Sequence, residues 1–351
     1  MPNQLEHYHM SAADWRKTLR QNSSRTYTII LLFFLIYLAI GLLADMYLAA
    51  TRYPYAPHAQ LLQALITFKI YPTATLIMLA IAAISLLVTY SLYDKLMLLG
   101  TTYHEITAET AQNLAERQLY HIVEEMKIAA SLPYMPKVFI IEADYMNAFA
   151  SGYSEKSAMV AVTRGLIKIL TRDELQAVVA HELSHIRHLD IKLTLTASLL
   201  ANLSIIALDI MFRGVLFSSD DEKSNGRSKN SLVIIIFILR FVLPLITALL
   251  LLYLSRTREL MADAGCVELM RTNQPLASAL IKIHQDHQQN KESYAAAYQN
   301  TPHENVRREA YLYDPNEAGI KSIASIGDFF STHPSLETRL AALGFKNPDE
   351  K

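Results

Sequence analysis

The chain has 351 residues, a formal net charge of −1 and one cysteine, Cys266. Without a basic excess it is not expected to bind nucleic acid. A lone cysteine excludes an intramolecular disulfide and a metal site built from cysteines. Hydrophobic residues make up 52% and charged residues 19%, below the roughly 25% of ordinary soluble domains. The apolar excess is therefore expected in discrete segments.

Four segments are long and apolar enough to cross a lipid bilayer, which needs about 20 mostly apolar residues. They cover residues 28–48, 72–92, 191–212 and 231–254. The alternative, buried helices of a soluble core, does not suit three of the four, which are longer than such helices usually are. The sequence thus predicts two membrane hairpins, with polar stretches on either side of the second.

Positive charge orients these spans. Four basic residues precede the first span, and Arg256 and Arg258 follow the fourth, whereas the loop between the first two spans holds only Arg52 and Lys69. Lysine and arginine favour the cytoplasmic side. Both termini are therefore predicted to lie in the cytoplasm.

Two charged residues lie inside predicted spans. Asp209 and Arg240 are at similar depth in the third and fourth spans, and charges in a bilayer usually form pairs or face a cavity. The sequence allows an ion pair between them. It also allows Asp209 to lie at the interface while Arg240 extends towards water. Pro244 predicts a kink in the fourth span.

The first polar stretch predicts a small mixed domain. Apolar residues recur at helical spacing in residues 105–131. Short β-type runs follow at 136–143, 146–151 and 158–163, with a polar turn between the last two. Thr171 and Glu174 have the spacing of a capping box, which begins a helix.

That helix carries an HExxH motif, His181-Glu182-Leu-Ser-His185. Positions i and i+4 lie on the same face of a helix, so the two imidazoles can bind one metal ion. Glu182 would lie beside the metal, where it can take a proton from the attacking water. The pattern favours a zinc hydrolase, in which three protein ligands leave one position open.

The third ligand is predicted to be Glu259. The variant with a further histidine after a glycine does not fit, because those positions hold His188 and Ile191. Two membrane crossings separate His185 from Glu259, so both residues return to the same membrane surface. Asp263 follows Glu259 on the same helix face and could fix the tautomer of a ligand imidazole. The alternatives are an ordinary polar helix face and His188 as the ligand.

The combined motifs resemble the HtpX family of bacterial membrane proteases, relatives of the CAAX prenyl endopeptidases and the mitochondrial Oma proteases. The resemblance covers roughly residues 90–345. It rests on a set of motifs in a fixed order, namely PKVFII, Asn147-Ala-Phe-Ala-Ser-Gly152, HELSH with Asp190, Ser255-Arg-Thr-Arg-Glu259, Ala262-Asp263, Thr332-His-Pro334 and Arg339.

The resemblance implies a mainly α membrane protein, with four transmembrane helices and a cytoplasmic helical zinc-metalloprotease domain that contains a small β-sheet. The implied protein lies in the bacterial inner membrane, binds one Zn²⁺ per chain and degrades damaged or unfolded membrane proteins. Its expected segments are a cytoplasmic N-terminus (1–27), a membrane hairpin (28–92), the first protease part (93–190), a second hairpin (191–254) and the second protease part (255–351).

The resemblance also suggests further site residues. His333 and Arg339 are expected to stabilise the negative charge that develops on the peptide carbonyl oxygen. Asp190, like Asp263, is expected to support a ligand. Four residues of one strand, Asn147, Ala148, Phe149 and Ala150, are expected to hold an extended substrate along an exposed sheet edge, although a plain core strand is the alternative.

Two other functions remain open from the sequence. A CAAX-type endopeptidase is one, but its usual seven spans exceed the four found here. An inactive membrane scaffold or chaperone is the other, and the intact HExxH motif with Glu259 disfavours it.

Overall fold

The computed structural model describes residues 5, 8–10, 14–98, 101–152, 154–217, 227–299, 310–320 and 333–346. The helices are α1 (Trp15–Arg52), α2 (His58–Ile66), α3 (Thr73–Leu98), α4 (Leu114–Ala129), α5 (Arg164–Ile169), α6 (Arg172–Arg187), α7 (Asp190–Phe217), α8 (Arg227–Met270), α9 (Gln274–Gln289), α10 (Lys291–Gln299) and α11 (Leu336–Ala342). The strands are β1 (His9–Met10), β2 (Tyr103–Ile106), β3 (Lys137–Ile141), β4 (Ala148–Ser151), β5 (Met159–Thr163) and β6 (Phe345–Lys346).

Four helices are long and apolar enough to span a membrane, which confirms the four predicted spans and the mainly α class. They are Trp15–Arg52, Thr73–Leu92, Asp190–Leu216 and Ser231–Met270. The fourth helix does not end at residue 254, where its apolar run ends. It continues to Met270, so that the polar residues after the span extend directly from a membrane helix.

The chain divides into two compact units. One unit comprises Tyr27–Thr89 and Leu193–Leu251, and the other comprises the rest of the chain. In the first unit large apolar side chains such as Ile84 and Phe241 face outward, as a lipid environment requires. Asp45 accepts hydrogen bonds from the backbone of Ala74 and Thr75 at the start of α3.

The charged residues inside the predicted spans form an ion pair, as one of the two alternatives expects. The Arg240 guanidinium contacts the Asp209 carboxylate, and Arg213 binds the same carboxylate at 2.9 Å. The Arg240 guanidinium also lies 4.6 Å from the centre of the Phe212 ring. Pairing reduces the cost of burying charge among apolar helices.

The other unit contains a four-stranded sheet in the order β2-β3-β5-β4. β3 and β5 are parallel, whereas β2 and β4 pair antiparallel with their neighbours. The three predicted strands are confirmed, and β2 is an additional one. The predicted helix at 105–131 begins only at Leu114. Thr107 and Thr110 form a hydrogen-bonded turn after β2, and the Asn113 side chain caps the helix.

Helix α6 begins where the sequence predicts. The Thr171 side chain accepts from the Glu174 backbone, and the Glu174 side chain accepts from the Thr171 backbone. Glu174 also accepts hydrogen bonds from Ser278 and Lys282 of α9. Helix α6 packs against α4, α9 and β4, and 11 of its 16 residues are buried, including His181 and Glu182. The HExxH residues are therefore held inside the core.

Candidate metal centre

Three side chains converge at the buried end of α6. Among the described residues, His181, His185 and Glu259 form the one group of potential ligands close enough to hold a metal ion. The Nε2 atoms of the two histidines are 3.1 Å apart. The Glu259 carboxylate lies 3.6 Å from His181 Nε2 and 3.5 Å from His185 Nε2.

These distances fit a tetrahedral metal ion. Two ligand atoms at the usual zinc distances of about 2.0–2.1 Å are about 3.4 Å apart in tetrahedral geometry. The observed separations of 3.1, 3.5 and 3.6 Å bracket that value. Glu259 Oε2 is buried and makes no hydrogen bond within the part of the chain that the structure describes. Oε2 is the oxygen near His181, whereas Oε1 is the one near His185, so the buried carboxylate lies against both imidazoles, as a shared cation requires.

Each histidine contacts an acid through its other ring nitrogen. His181 Nδ1 lies 3.0 Å from Asp263 Oδ1, and His185 Nδ1 lies 2.8 Å from Asp190 Oδ2. Asp263 lies one helical turn after Glu259, and Asp190 is the first residue of α7. An acid at Nδ1 directs the Nε2 lone pair towards a metal.

The two imidazoles differ in their proton affinity. Burial alone would lower the pKa of His181, but the carboxylates of Asp263 and Glu259 outweigh it and raise the pKa to about 9. Burial lowers the pKa of His185 to about 3, despite the nearby Glu259 carboxylate. At neutral pH His185 is therefore neutral and can act as a ligand, whereas His181 carries a proton that a bound metal ion would have to displace.

Glu182 lies beside the ligands and is itself buried. Burial raises the pKa of its carboxyl to about 7, against the lowering effect of His181, and the Glu259 charge adds a smaller rise. No full hydrogen bond reaches its oxygens from the described residues, although the Ala150 N–H is close enough to lower its pKa in part. A carboxyl that titrates near neutrality suits a general base.

His333 and Arg339 are both brought to the cluster. His333 Nδ1 lies 3.5 Å from Glu259 Oε2, and Arg339 Nη1 lies 3.7 Å from the same oxygen. Burial would lower the pKa of His333, but the Glu259 charge raises it above its usual value. The Arg339 guanidinium binds both oxygens of Asp263 at 2.6 and 2.9 Å. It therefore holds a side chain that supports His181.

The strand expected to bind substrate lies at the edge of the sheet, but it is not exposed. Residues Ala148–Ser151 are all buried. Phe149 forms a bridge with Tyr311, and the Leu312 N–H donates to the Ala148 carbonyl at 2.9 Å. The Asn147 amide donates to the Tyr313 carbonyl at 3.0 Å. Asn147 thus binds the backbone of the chain itself.

Other histidines lie away from the ligand cluster. His188 is the residue that follows the last residue of α6, and its Nδ1 is 2.8 Å from the Ser184 carbonyl. His284 contacts the Tyr313 hydroxyl at 2.6 Å, and His287 is fully buried, with Nε2 3.1 Å from the Tyr298 hydroxyl. His303 lies outside the described residues.

The sequence uses Arg258 to orient the spans and as part of a family motif, but it does not predict a role for this side chain at the site. Its guanidinium is buried, donates to the His188 carbonyl at 3.1 Å and contacts the Asp190 carboxylate. The one signal in the sequence is its position directly before Glu259. That signal is ambiguous, because a basic residue at the end of a membrane helix is equally expected to be a surface charge.

A buried cluster of two histidines and a glutamate on an HExxH helix, joined to bilayer-length helices, defines an integral-membrane metalloprotease. Residues 113–345 match the model of peptidase family M48, which implies a metal ion. A protease HtpX homolog of Helicobacter pylori (strain Shi470) is 37% identical over 330 residues, 94% of this chain and 98% of the relative. The chain belongs to peptidase family M48 and is of the HtpX type.

More distant relatives have the same description. A protease HtpX homolog of Streptococcus uberis is 32% identical over 329 residues, which is 93% of this chain and 97% of the relative. Among solved structures, the crystal structure of S. mikatae Ste24p matches with a TM-score of 0.45 and 17% identity, covering 80% of this chain and 60% of that chain.

Proposed function

We propose that this metalloprotease is a zinc-dependent endopeptidase of the bacterial inner membrane, which cleaves damaged or misfolded membrane proteins from the cytoplasmic side. The observation that carries the proposal is the convergence of His181, His185 and Glu259 within 4.8 Å of one another. The similarity to HtpX homologs supports the quality-control role, and the four bilayer-length helices bring the enzyme to membrane substrates.

Zinc is the metal that best fits this ligand set. Two imidazole nitrogens and one carboxylate oxygen are the ligands of many catalytic zinc sites, which leave the fourth position open. When bound, zinc polarises the scissile carbonyl and lowers the pKa of water to near neutral. The Nδ1 contacts of Asp263 and Asp190 support this assignment, because they fix both imidazoles with Nε2 directed inward.

Glu182 is assigned as the general base. It accepts a proton from the attacking water and returns it to the leaving amine. Its buried position next to His181 and its pKa of about 7 support this role, because the carboxyl can both accept and release a proton near neutral pH. His333, 3.5 Å from Glu259, is assigned as a donor to the carbonyl oxygen of the substrate.

We assign the substrate peptide to the outer edge of β4 at Ala150. The Thr163 N–H donates to the Asn147 carbonyl, so the backbone polar groups of Asn147 point towards β5. Backbone groups alternate in direction along a strand, and those of Ala148 and Ala150 therefore point away from β5. The chain itself already occupies part of this edge, because Leu312 binds Ala148 and Phe149 bridges Tyr311. We assign the peptide to Ala150 because its backbone N–H approaches the Glu182 carboxylate. Because β4 is buried, the covering residues must move for a peptide to enter.

The cytoplasmic orientation is tested with reporter fusions. Fusions after Arg258 and after Lys95 should report the cytoplasm, whereas a fusion at Tyr55, in the segment between α1 and α2, should report the far side. A second far-side fusion is expected at Asn225, which lies outside the described residues. A far-side signal after Arg258 would reverse the assignment.

Three variants separate the zinc assignment from the general-base assignment. Glu182→Gln should retain one zinc per chain, but its rate of peptide cleavage should fall. The expected loss is about 10²–10⁴-fold, the usual contribution of a general base, and a loss of less than tenfold would refute the role. His185→Ala and Glu259→Ala should lose zinc as well as activity. Zinc is measured by atomic emission and cleavage with casein or a membrane substrate. If Glu259→Ala retains tightly bound zinc, the third ligand lies elsewhere, and His188 is tested next.

A further inference from the structure

A strained corner joins the motif helix to the next membrane helix. Helix α6 ends at Arg187 and α7 begins at Asp190, so only two residues make the turn. The second of them, Leu189, has a φ of 54°, in the left-handed region that favours glycine. A non-glycine residue persists in this region only where its surroundings force it.

Packing of the Leu189 side chain does not supply that force. The side chain is 36% exposed. The backbone of the corner makes the usual bonds of a helix end, from His188 N–H to the Ser184 carbonyl and from Leu189 N–H to the Ile186 carbonyl. These bonds end α6, but they do not determine where the chain goes after Leu189.

Arg258 holds the corner from both sides. Its Nη2 donates to the carbonyl of His188, before Leu189, at 3.1 Å. The same guanidinium contacts the carboxylate of Asp190, after Leu189. The other Asp190 oxygen lies 2.8 Å from His185 Nδ1. Because Arg258 directly precedes Glu259 on α8, the third candidate ligand and the corner are connected through adjacent residues.

We propose that Arg258 is a positioning residue for the metal centre. It bridges the His188 carbonyl and the Asp190 carboxylate, keeps Leu189 in the left-handed conformation and thereby holds Asp190 against His185. Asp190 then fixes the His185 tautomer that directs Nε2 at the metal. This inference rests on the proposed zinc site.

The arrangement repeats on the other histidine, which supports the assignment. His181 contacts Asp263, and Asp263 is bound by the buried Arg339. Each ligand imidazole thus has an acid at Nδ1 and a buried guanidinium behind the acid. Arginine suits both positions, because its planar fork can bind two acceptors at once and its charge is permanent.

The test measures zinc affinity of the full-length protein in detergent, by competition with a chromophoric chelator. Arg258→Gln removes the charge and the fork, and Arg258→Lys keeps the charge but loses the fork. Arg256→Gln removes an equal charge from an exposed side chain two residues away and is the matched control. The double variant Leu189→Gly with Arg258→Gln relieves the strained backbone while the arginine is absent.

Arg258→Gln should bind zinc about 10–100-fold more weakly than wild type, which is the usual effect of removing a partner behind a metal ligand. Arg258→Lys should also bind more weakly, whereas Arg256→Gln should match wild type. Glycine at position 189 should recover part of the affinity. Amides 188–190 should exchange hydrogen faster in both Arg258 variants under saturating zinc.

Equal affinity of Arg258→Gln and Arg256→Gln would overturn the proposal. If Arg258→Gln does not fold, Arg258→Lys decides the matter, because wild-type affinity in that variant would show that the fork is not needed. No recovery with glycine would overturn the role of the strained corner. Failure of the proposed zinc site is distinguishable from failure of this proposal, because the wild type itself would then bind no zinc.

Discussion

Arg339→Met tests whether Arg339 supports the site or contacts the reacting carbonyl. The guanidinium is buried, and its donors are used inside the protein: Nε and Nη2 bind Asp263 at 2.9 and 2.6 Å, and Nη1 binds the Leu312 carbonyl at 2.6 Å. Among the described residues, its one direct approach to a candidate ligand is the 3.7 Å between Nη1 and Glu259. We therefore expect Arg339→Met to act mainly through stability and metal affinity.

The size of the effect follows from the burial of the pair. Removing one partner of a buried ion pair costs about 3–5 kcal/mol, because the other charge is left uncompensated. Asp263 keeps its contact with His181, so the lower end, about 3 kcal/mol, is expected. At roughly 2–4 °C per kcal/mol for a unit of this size, Tm should fall by about 6–12 °C.

The assay is thermal unfolding in detergent, with zinc content and cleavage per folded molecule measured on the same samples. Arg172→Met is the matched control, because Arg172 also binds a carboxylate, that of Glu125 at 2.7 Å, but both side chains are nearly half exposed. Exposed pairs contribute about 0–1 kcal/mol. If Arg339→Met unfolds like the control while turnover falls about 10²–10³-fold, Arg339 is a transition-state donor and our reasoning is wrong.

Two further predictions concern ion pairs away from the metal centre. Burial would raise the pKa of Glu174, but hydrogen bonds from Lys282 and Ser278 outweigh it and lower the pKa below the ordinary value of 4.5. The ionised carboxylate therefore stabilises the fold above pH 4.5, and this stability is lost as the pH falls through the lowered pKa. Glu174→Gln should therefore have a lower Tm than wild type at pH 7, and its Tm should fall less than that of wild type as the pH drops below 4.5. If Tm falls with pH equally in both proteins, the prediction is wrong. Asp209→Asn should lower Tm more than the double variant with Arg240→Gln, because only the single variant leaves Arg240 without its counter-charge among apolar helices; equal Tm values would refute this.

The elements set by local patterns agree with the sequence predictions. The capping box at Thr171, the apolar spans and the period-two strands depend on residues close together in the chain, so their signals are visible without the fold. Strand β2 lacks such a signal, because its polar and apolar residues fit the start of an amphipathic helix equally well. Only its pairing with β3 makes Tyr103–Ile106 a strand.

The site residues also divide into those with a local sequence signal and those whose role depends on the folded chain. His181, Glu182 and His185 are fixed by one helix, and their spacing is enough to predict them. Asn147 is different, because a polar side chain before a buried strand fits a substrate-binding role or an internal bond. Its contacts with Tyr313, 166 residues away, exist only in the folded chain. The role of Arg258 cannot be predicted from the sequence for the same reason, because its acceptors lie about 70 residues earlier in the chain.

The charges of the site lead to a final prediction about metal removal. The buried acids around the two histidines are Glu182, Asp190, Glu259 and Asp263, and the buried arginines are Arg258 and Arg339. When all of these groups are ionised and both histidines are neutral, as metal ligands must be, two negative charges remain, which one divalent cation balances. Stripping the metal with a chelator should therefore lower Tm. A ligand present at a thousand times its Kd contributes about 4 kcal/mol, or roughly 8–16 °C at the same scale.

Glu182→Gln provides the control for this experiment. It keeps the three candidate ligands, so chelation should still lower its Tm, but its metal-free form has one negative charge fewer. That form should unfold at a higher temperature than metal-free wild type, because repulsion with Glu259 is reduced. An unchanged wild-type Tm after complete zinc removal, checked by atomic emission, would mean that the charges of the cluster are balanced without a metal and that the ligand assignment is wrong.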